Sequence, residues 1–291
     1  MTPASENTRC IIFMMISMAG FAVEDAIIKQ LSFDMPISQI LMLTGGAGAV
    51  VFGLLARYRG VALLGPALND RRFLLRNVGE LVAAIFLVSA IVYGSLSAAS
   101  AILQAVPLAV AAGSALFLGQ RVAARQWWLI GLGFVGVLFI IQPGSEGFNP
   151  ATLLAVIAVI ALASRDVLTR SIAGNIDPLA TSFWAFVALH ASGWVSVPLF
   201  GEFSAVSMTH WGLIAASTVA AALAYMAVVH ATRAGDMAVV APFRYSRLLF
   251  AFILAVVFFD ESITWPVMVG AGLIVLSGLG TIRRKPLAAQ S

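Results

Sequence analysis

The chain has 291 residues, 61% of them hydrophobic and only 10% charged, with a mean hydropathy of +0.99. Soluble domains carry roughly 25% charged residues, so this composition excludes a soluble enzyme, and the lone Cys10 excludes a disulfide scaffold. The net charge of +4 and pI of about 9.7 are read as membrane topology and contact with anionic headgroups, not as nucleic-acid binding.

A bilayer core requires about 20 mainly apolar residues per helix. Ten runs of that order follow one another, near 11–30, 36–56, 73–93, 97–118, 123–141, 150–170, 178–200, 209–230, 237–259 and 263–282. They are too long for barrel strands and lack strand alternation, so the expected fold is an all-α polytopic bundle. The first run is read as a retained helix and not a cleaved signal, because Glu24, Asp25 and Lys29 follow its apolar stretch. The third and fourth runs are close enough to fuse.

Twelve of the 17 basic residues fall on one side of the alternating loops: Arg9, Arg57, Arg59, Arg71, Arg72, Arg121, Arg125, Arg170, Arg233, Arg283, Arg284 and Lys285. The retention of Lys and Arg on the cytoplasmic side then puts both termini there.

The chain also repeats itself at a shift of 141. The segment Phe21 to Leu31 returns as Leu162 to Ile172, keeping Asp25/Asp166 and Lys29/Arg170 in register, and Phe117 to Arg121 returns as Phe258 to Ser262. Five spans per half is an odd number, so the second half enters from the opposite side. Two inverted five-helix repeats, 9–141 and 150–285, are expected. Such halves suit a carrier, because rocking about a site near the midplane exposes it to each side in turn.

Here the chain resembles the drug/metabolite transporter superfamily and its EamA-type ten-helix members. The resemblance rests on size, helix count, the doubled pattern and the sequences Phe-Leu-Gly-Gln at 117–120 and Phe-Phe-Asp-Glu at 258–261, where the family usually reads Leu-Gly-Glu. Gln120 and Asp260 depart from that pattern, so no role is carried onto them. Ala241 to Tyr245 and Ser97 to Gln104 look like the branch that imports vitamins and nucleoside derivatives, including riboflavin and S-adenosylmethionine. The resemblance implies a metabolite importer of the inner membrane, with export of amino acids or other metabolites as the alternative.

The ninth span is the first place to seek a site, because Pro242 has no N–H to offer residue 238 and its ring disrupts the preceding turn. Arg244 and Arg247, three apart, then stand on neighbouring helical positions beside Tyr245. They could hold a carboxylate, a phosphate or a planar polar group, with Tyr245 stacking; alternatively they snorkel to headgroups or pair with an internal acid. Glu80 lies four residues from Arg76, which is read as an interfacial anchor, and could partner Arg244, accept a proton or touch substrate. Asp25, Lys29, Arg165 and Asp166 are candidate gates or coupling groups. Their plainer reading is neutralisation within each helix, Asp25 with Lys29 and Asp166 with Arg170. Gln104, Trp184 and Tyr225 complete the candidate cavity, offering a neutral amide and aromatic surfaces.

Gly131-x-Gly133-x-x-Gly136 matches a dinucleotide fingerprint but lies inside an apolar span with no preceding strand, so it is read as helix packing, as are Gly45, Ala49, Gly53, Gly270, Gly272 and Gly278. His190, His210 and His230 are too scattered for a metal site. Neither a cofactor nor a metal is expected, and no nucleophile and base stand at catalytic spacing, which disfavours an intramembrane enzyme. The expected partners are a small-molecule substrate and the lipid bilayer, with monomer and homodimer both open.

Overall fold

The computed structural model describes residues 3–65, 68, 70–120, 122–172, 176–201, 203–234 and 237–282. These contain helices and no strand: α1 (Pro3–Leu31), α2 (Ile37–Tyr58), α3 (Arg71–Tyr93), α4 (Leu96–Leu103), α5 (Val106–Phe117), α6 (Ala124–Ile141), α7 (Ala151–Ser171), α8 (Pro178–Phe200), α9 (Met208–Ala234), α10 (Met237–Val240), α11 (Ser246–Phe259) and α12 (Trp265–Ile282), with a 3-10 turn at Ala241–Tyr245 between α10 and α11. Among the described residues nine helical segments, counting α4 with α5 and the 3-10 turn with α11, are long and apolar enough to cross a bilayer, and Trp265–Thr281 is a shorter apolar one. Arg121, Arg283, Arg284 and Lys285 lie outside the described residues, as do the side chains of Arg170 and Arg233.

Local chemistry sets the boundaries. The third and fourth runs do not fuse: the chain leaves the helix at Gly94, and Ser95 caps α4 by accepting from the Ala98 amide at 3.1 Å. Asp70 and Asp177 cap α3 and α8 in the same way. The fourth run, expected as one helix, is interrupted after Leu103, because Pro107 has no N–H for that turn. The ninth breaks where Pro242 requires it, in the 3-10 turn. The two interruptions touch, with the Gln104 amide donating to the Tyr245 carbonyl at 3.2 Å. A backbone carbonyl at a helix break is thereby satisfied inside the protein.

Four pairings make up most of the bundle: α1 with α9, α3 with α7, α2 with α8, and α6 with α12. The short α4 lies at the centre, with Leu96, Ala101 and Ile102 fully buried among Ile140, Ala155, Ala255 and Ile274. Small residues set the closest crossings. A Cβ at Gly45 would stand 2.3 Å from the His190 amide nitrogen, and one at Gly136 would stand 2.6 Å from the Gly270 carbonyl. Gly131 and Gly272 face open space, so the packing role expected of those two is not theirs.

The turns gather at two ends. At one, Gln39 bonds Ser204, Asp34 meets His210, and Glu261 reaches Lys29 and Ser97. At the other, Arg72 donates to the Ser171 carbonyl and the Trp184 indole to the Leu63 carbonyl. These are called the Glu261 end and the Arg72 end.

Gly45→Leu drives a side chain into the α8 backbone and should destabilise the protein by at least about 1–3 kcal/mol, whereas Gly272→Leu should be nearly neutral. Melting temperatures of the two purified variants in one detergent test the contrast.

Candidate functional site

Two networks of charge run through the bundle, each joining helices distant in sequence. Nearer the Arg72 end, Glu80 on α3 accepts from Arg165 on α7 at 3.0 and 3.1 Å and pairs with Arg76 at 3.1 Å. Arg165 also holds its neighbour Asp166 at 2.8 Å. One guanidinium thus answers two carboxylates, and the planar fork of arginine permits it. Arg76 is 6% exposed and bonds the Asn77 side chain, so it is a buried member of the network and not the interfacial anchor expected. The sequence left Arg244 open as partner to Glu80; in the fold Arg165 has that place.

Arg244, on the 3-10 turn, remains exposed and has no hydrogen-bond or ion-pair partner among the described residues. Asp166, Arg165, Tyr245 and Arg247 lie close enough to act on its charge. Tyr225 on α9 approaches Arg76 and meets Phe52 edge-on, with ring centroids 5.5 Å apart. Arg76, Arg165, Arg244, Glu80, Asp166 and Tyr225 therefore share one region. At formal charge its three cations exceed its two anions by one.

The second network ties α1 to α11. Asp25, 6% exposed, accepts from Arg247 at 2.6 Å, and the guanidinium also lies over the Phe21 ring at 5.4 Å. Lys29, one turn on, pairs with Glu261 and lies over the Phe259 ring. The expected neutralisation of Asp25 by Lys29 within α1 is thus overturned: each takes a partner from elsewhere in the fold, because burial against α11 brings opposite charge closer than their own helix does. Asp166 likewise pairs with Arg165, and Arg170 has its side chain outside the described residues.

Glu261 stands in the turn after α11, where Asp260 takes the left-handed conformation at φ 49°. Its carboxylate accepts from the Leu96 amide at 2.7 Å, the Ser97 amide at 3.0 Å and the Ser97 hydroxyl at 2.6 Å, capping α4. Burial alone would raise its pKa, but Lys29, the Ser97 hydroxyl and the two amides outweigh it and hold the carboxyl below its ordinary 4.5.

Other candidates occupy quieter places. Tyr245 is buried, with its hydroxyl against Gly278 and without a hydrogen-bond partner. Gln104 is buried at the contact between the two helix breaks. Trp184 lies beside Phe183 and is anchored to Leu63. His190 bonds Met42 and Trp194, and no group of three metal-ligating side chains occurs among the described residues. The sequence reading missed Glu24, half-buried beside Asp25 and near Arg247, and gave no role to Glu261; adjacency to Asp25 and the position in Phe-Phe-Asp-Glu were the available signals.

The EamA-like transporter family model matches residues 8–142 and again residues 149–283, nearly the whole chain. The chain belongs to this family. Among curated members, the "Pseudopaline exporter CntI" of Pseudomonas aeruginosa is 26% identical over 281 residues, covering 94% of this chain and 96% of that one. The "Riboflavin transporter" of Rhizobium johnstonii is 27% identical over 64% of this chain and 62% of its own, and the "S-adenosylmethionine uptake transporter" of Rickettsia bellii is 24% identical over 61% and 60%. A solved crystal structure at 17% identity superposes with a TM-score of 0.64, covering 98% of this chain and 100% of that one, a likeness of fold. The protein is thus a multi-pass membrane transporter of the EamA type.

Arg165→Met removes the described partner of Asp166 and one of the two guanidinium partners of Glu80, and should destabilise by about 1–3 kcal/mol, whereas Arg244→Met, which breaks no pair, should fall well short of that; chemical denaturation in mixed micelles compares them. For Glu261, whose folded pKa lies below its unfolded value, stabilisation is present above pH 4.5 and is lost as pH falls further through the lowered value. Between about pH 7 and pH 4 the melting temperature of Glu261→Gln should therefore decline less than that of the wild type.

Proposed function

We propose that the protein is a secondary carrier that moves a small polar or amphipathic metabolite across the bacterial inner membrane by alternating access. The observation that carries this reading is an unpaired cation, Arg244, at an interrupted helix, beside the otherwise balanced network of Arg76, Arg165, Glu80 and Asp166. Discontinuous helices meeting within a bundle are where carriers place their sites, since freed backbone and unpaired charge need either protein or ligand to satisfy them. Arg244 binds an anionic group of the substrate, with Tyr225 and the free edge of Asp166 beside it. Arg247, Glu80, Gln104, Trp184 and Tyr245 support the walls.

The two halves, 9–141 and 150–285, are inverted repeats with both termini cytoplasmic. The double match of the family model supports this, and so does the packing: exchanging the halves carries the α1–α9 contact onto α3–α7 and leaves α2–α8 and α6–α12 in place. The turns closing α5 and α11 agree too. Gln120 donates to the Ser114 carbonyl and Glu261 to the Ala255 carbonyl, each across six residues and 141 apart. With this orientation the Glu261 end is periplasmic. Lys29–Glu261 and Asp25–Arg247 then close the outer mouth, and separating α1 from α11 opens it, while Arg165 and Asp166 act at the cytoplasmic mouth.

Import of a vitamin or nucleoside-type compound is the reading that the riboflavin and S-adenosylmethionine relatives support. Export is the second reading, favoured because the exporter relative is similar over nearly all of both chains.

Uptake and counterflow in proteoliposomes, with riboflavin, S-adenosylmethionine, amino acids and nucleotide sugars, test the carrier and its site. One compound should exchange faster when present on the far side, and Arg244→Ala should abolish that exchange. Exchange untouched by Arg244→Ala would remove the site, and flux without counterflow would indicate a pore.

A further inference from the structure

A groove of about 760 Å³ opens at the Arg72 end, walled by α2, by α8 and by residues 61–64. Local chemistry builds it. Gly60 takes a left-handed φ of 67°, so that the Val61 amide returns to the Ala56 carbonyl at 2.8 Å and the Gly60 amide to the Arg57 carbonyl, which ends α2 sharply. The chain then runs to α8, where the Trp184 indole fastens the Leu63 carbonyl at 2.9 Å. Gly53, having no side chain, lets the edge of the Phe183 ring come close: a Cβ there would stand 3.2 Å from it. Val50, Leu54 and Leu64 are exposed along the sides.

The groove has a direction. Its α2 wall runs from Ala49 to Arg57, a rise of roughly 12 Å, most of one leaflet's half of a ~30 Å hydrocarbon core. All of its lining is apolar except Arg57, which stands in the last turn of α2, exposed and with no hydrogen-bond or ion-pair partner among the described residues. Residues 57–72 carry four arginines, Arg57, Arg59, Arg71 and Arg72, against one acid, Asp70, whose carboxylate is taken up in capping α3. Charge at the level of the membrane surface, grading into an apolar slot towards the midplane, is the polarity profile of a phospholipid. A small water-soluble metabolite would find no answer for its polar groups beyond Arg57. Because α2 and α8 are both of membrane-spanning length and composition, what borders an open apolar slot between them is hydrocarbon. We infer that this groove is a binding site for one anionic phospholipid, with Arg57 donating to the headgroup phosphate and an acyl chain lying along Gly53, Phe183 and Val187. The guanidinium fork suits a phosphate, and the net positive α2–α3 connection favours a headgroup that is negative overall. The site lies apart from Arg244 and depends on neither the substrate nor the direction of transport.

The test is native mass spectrometry of the purified full chain from micelles supplied with phosphatidylglycerol or with phosphatidylcholine of the same acyl chains. One phosphatidylglycerol should be retained about tenfold or more in preference to phosphatidylcholine. Arg57→Gln should erase that preference, Arg57→Lys should keep it in weaker form, and Arg59→Gln, at a residue that does not line the groove, should leave it unchanged. Val50→Trp and Leu54→Trp, which fill the slot from exposed positions, should each remove the retained lipid without lowering the melting temperature by more than a few degrees. The site is overturned if both lipids are retained equally, if the preference survives Arg57→Gln, if Arg59→Gln abolishes it as fully as Arg57→Gln does, which would indicate a diffuse basic surface, or if filling the slot changes nothing. Displacement of the lipid by millimolar sn-glycerol 3-phosphate would overturn it too, since the anion alone would then account for the binding.

Discussion

Charge placed inside an apolar bundle needs compensation within the protein or from a ligand, because hydrocarbon offers no counterion and little polarisation. In this chain most of the compensation comes across helices. Arg165 reaches from α7 to Glu80 on α3, Arg247 from α11 to Asp25 on α1, and Lys29 from α1 to Glu261 beyond α11. Each pair fixes which helices are neighbours and at what rotation. Pro107 and Pro242 set where the two helices break, and the packing of the helices brings the breaks together at Gln104 and Tyr245.

These ties also differ in kind, and the difference bears on movement. The α3–α7 tie is the two-pronged bond of Arg165 to Glu80, and each of those two residues keeps a further partner on its own helix, Asp166 and Arg76. The α1–α11 ties are two separate pairs strung along one helix, Asp25–Arg247 and Lys29–Glu261, with Glu261 also capping α4. A seam held by discrete pairs has discrete alternatives, whereas a dry apolar seam would deform only by losing packing. The break at Gln104 and Tyr245 sits beside this seam, where a small shift of α11 changes the surroundings of Arg244.

Much of the fold was legible because apolar runs of membrane length leave the chain few choices. Ser95 and Pro242 acted locally as their chemistry requires, the one starting α4 and the other breaking the ninth span. Pro107 acted just as locally, yet the interruption of the fourth span was missed because an otherwise apolar run masked it. The pairing of charges was misread for a different reason. Spacing of four residues makes Asp25 and Lys29 neighbours on a helix surface, but an exposed pair of that sort contributes only about 0.3–0.5 kcal/mol, and burial against α11 offers closer partners. Arg76 was misplaced likewise: three residues of helix separate an anchor from a buried ion, and only the packing of α3 on α7 says which it is.

Composition and periodicity by themselves determined an all-helical membrane protein, the positions of its spans, and the doubled pattern with its recurring acid and base, because those properties are local or additive along the chain. The tertiary structure alone decided which charge answers which, and that Tyr245 is packed against Gly278 while Arg244 stays open. Pairing is a competition among all groups that folding brings within a few ångströms, and the winner depends on distances between helices that no single stretch of sequence encodes.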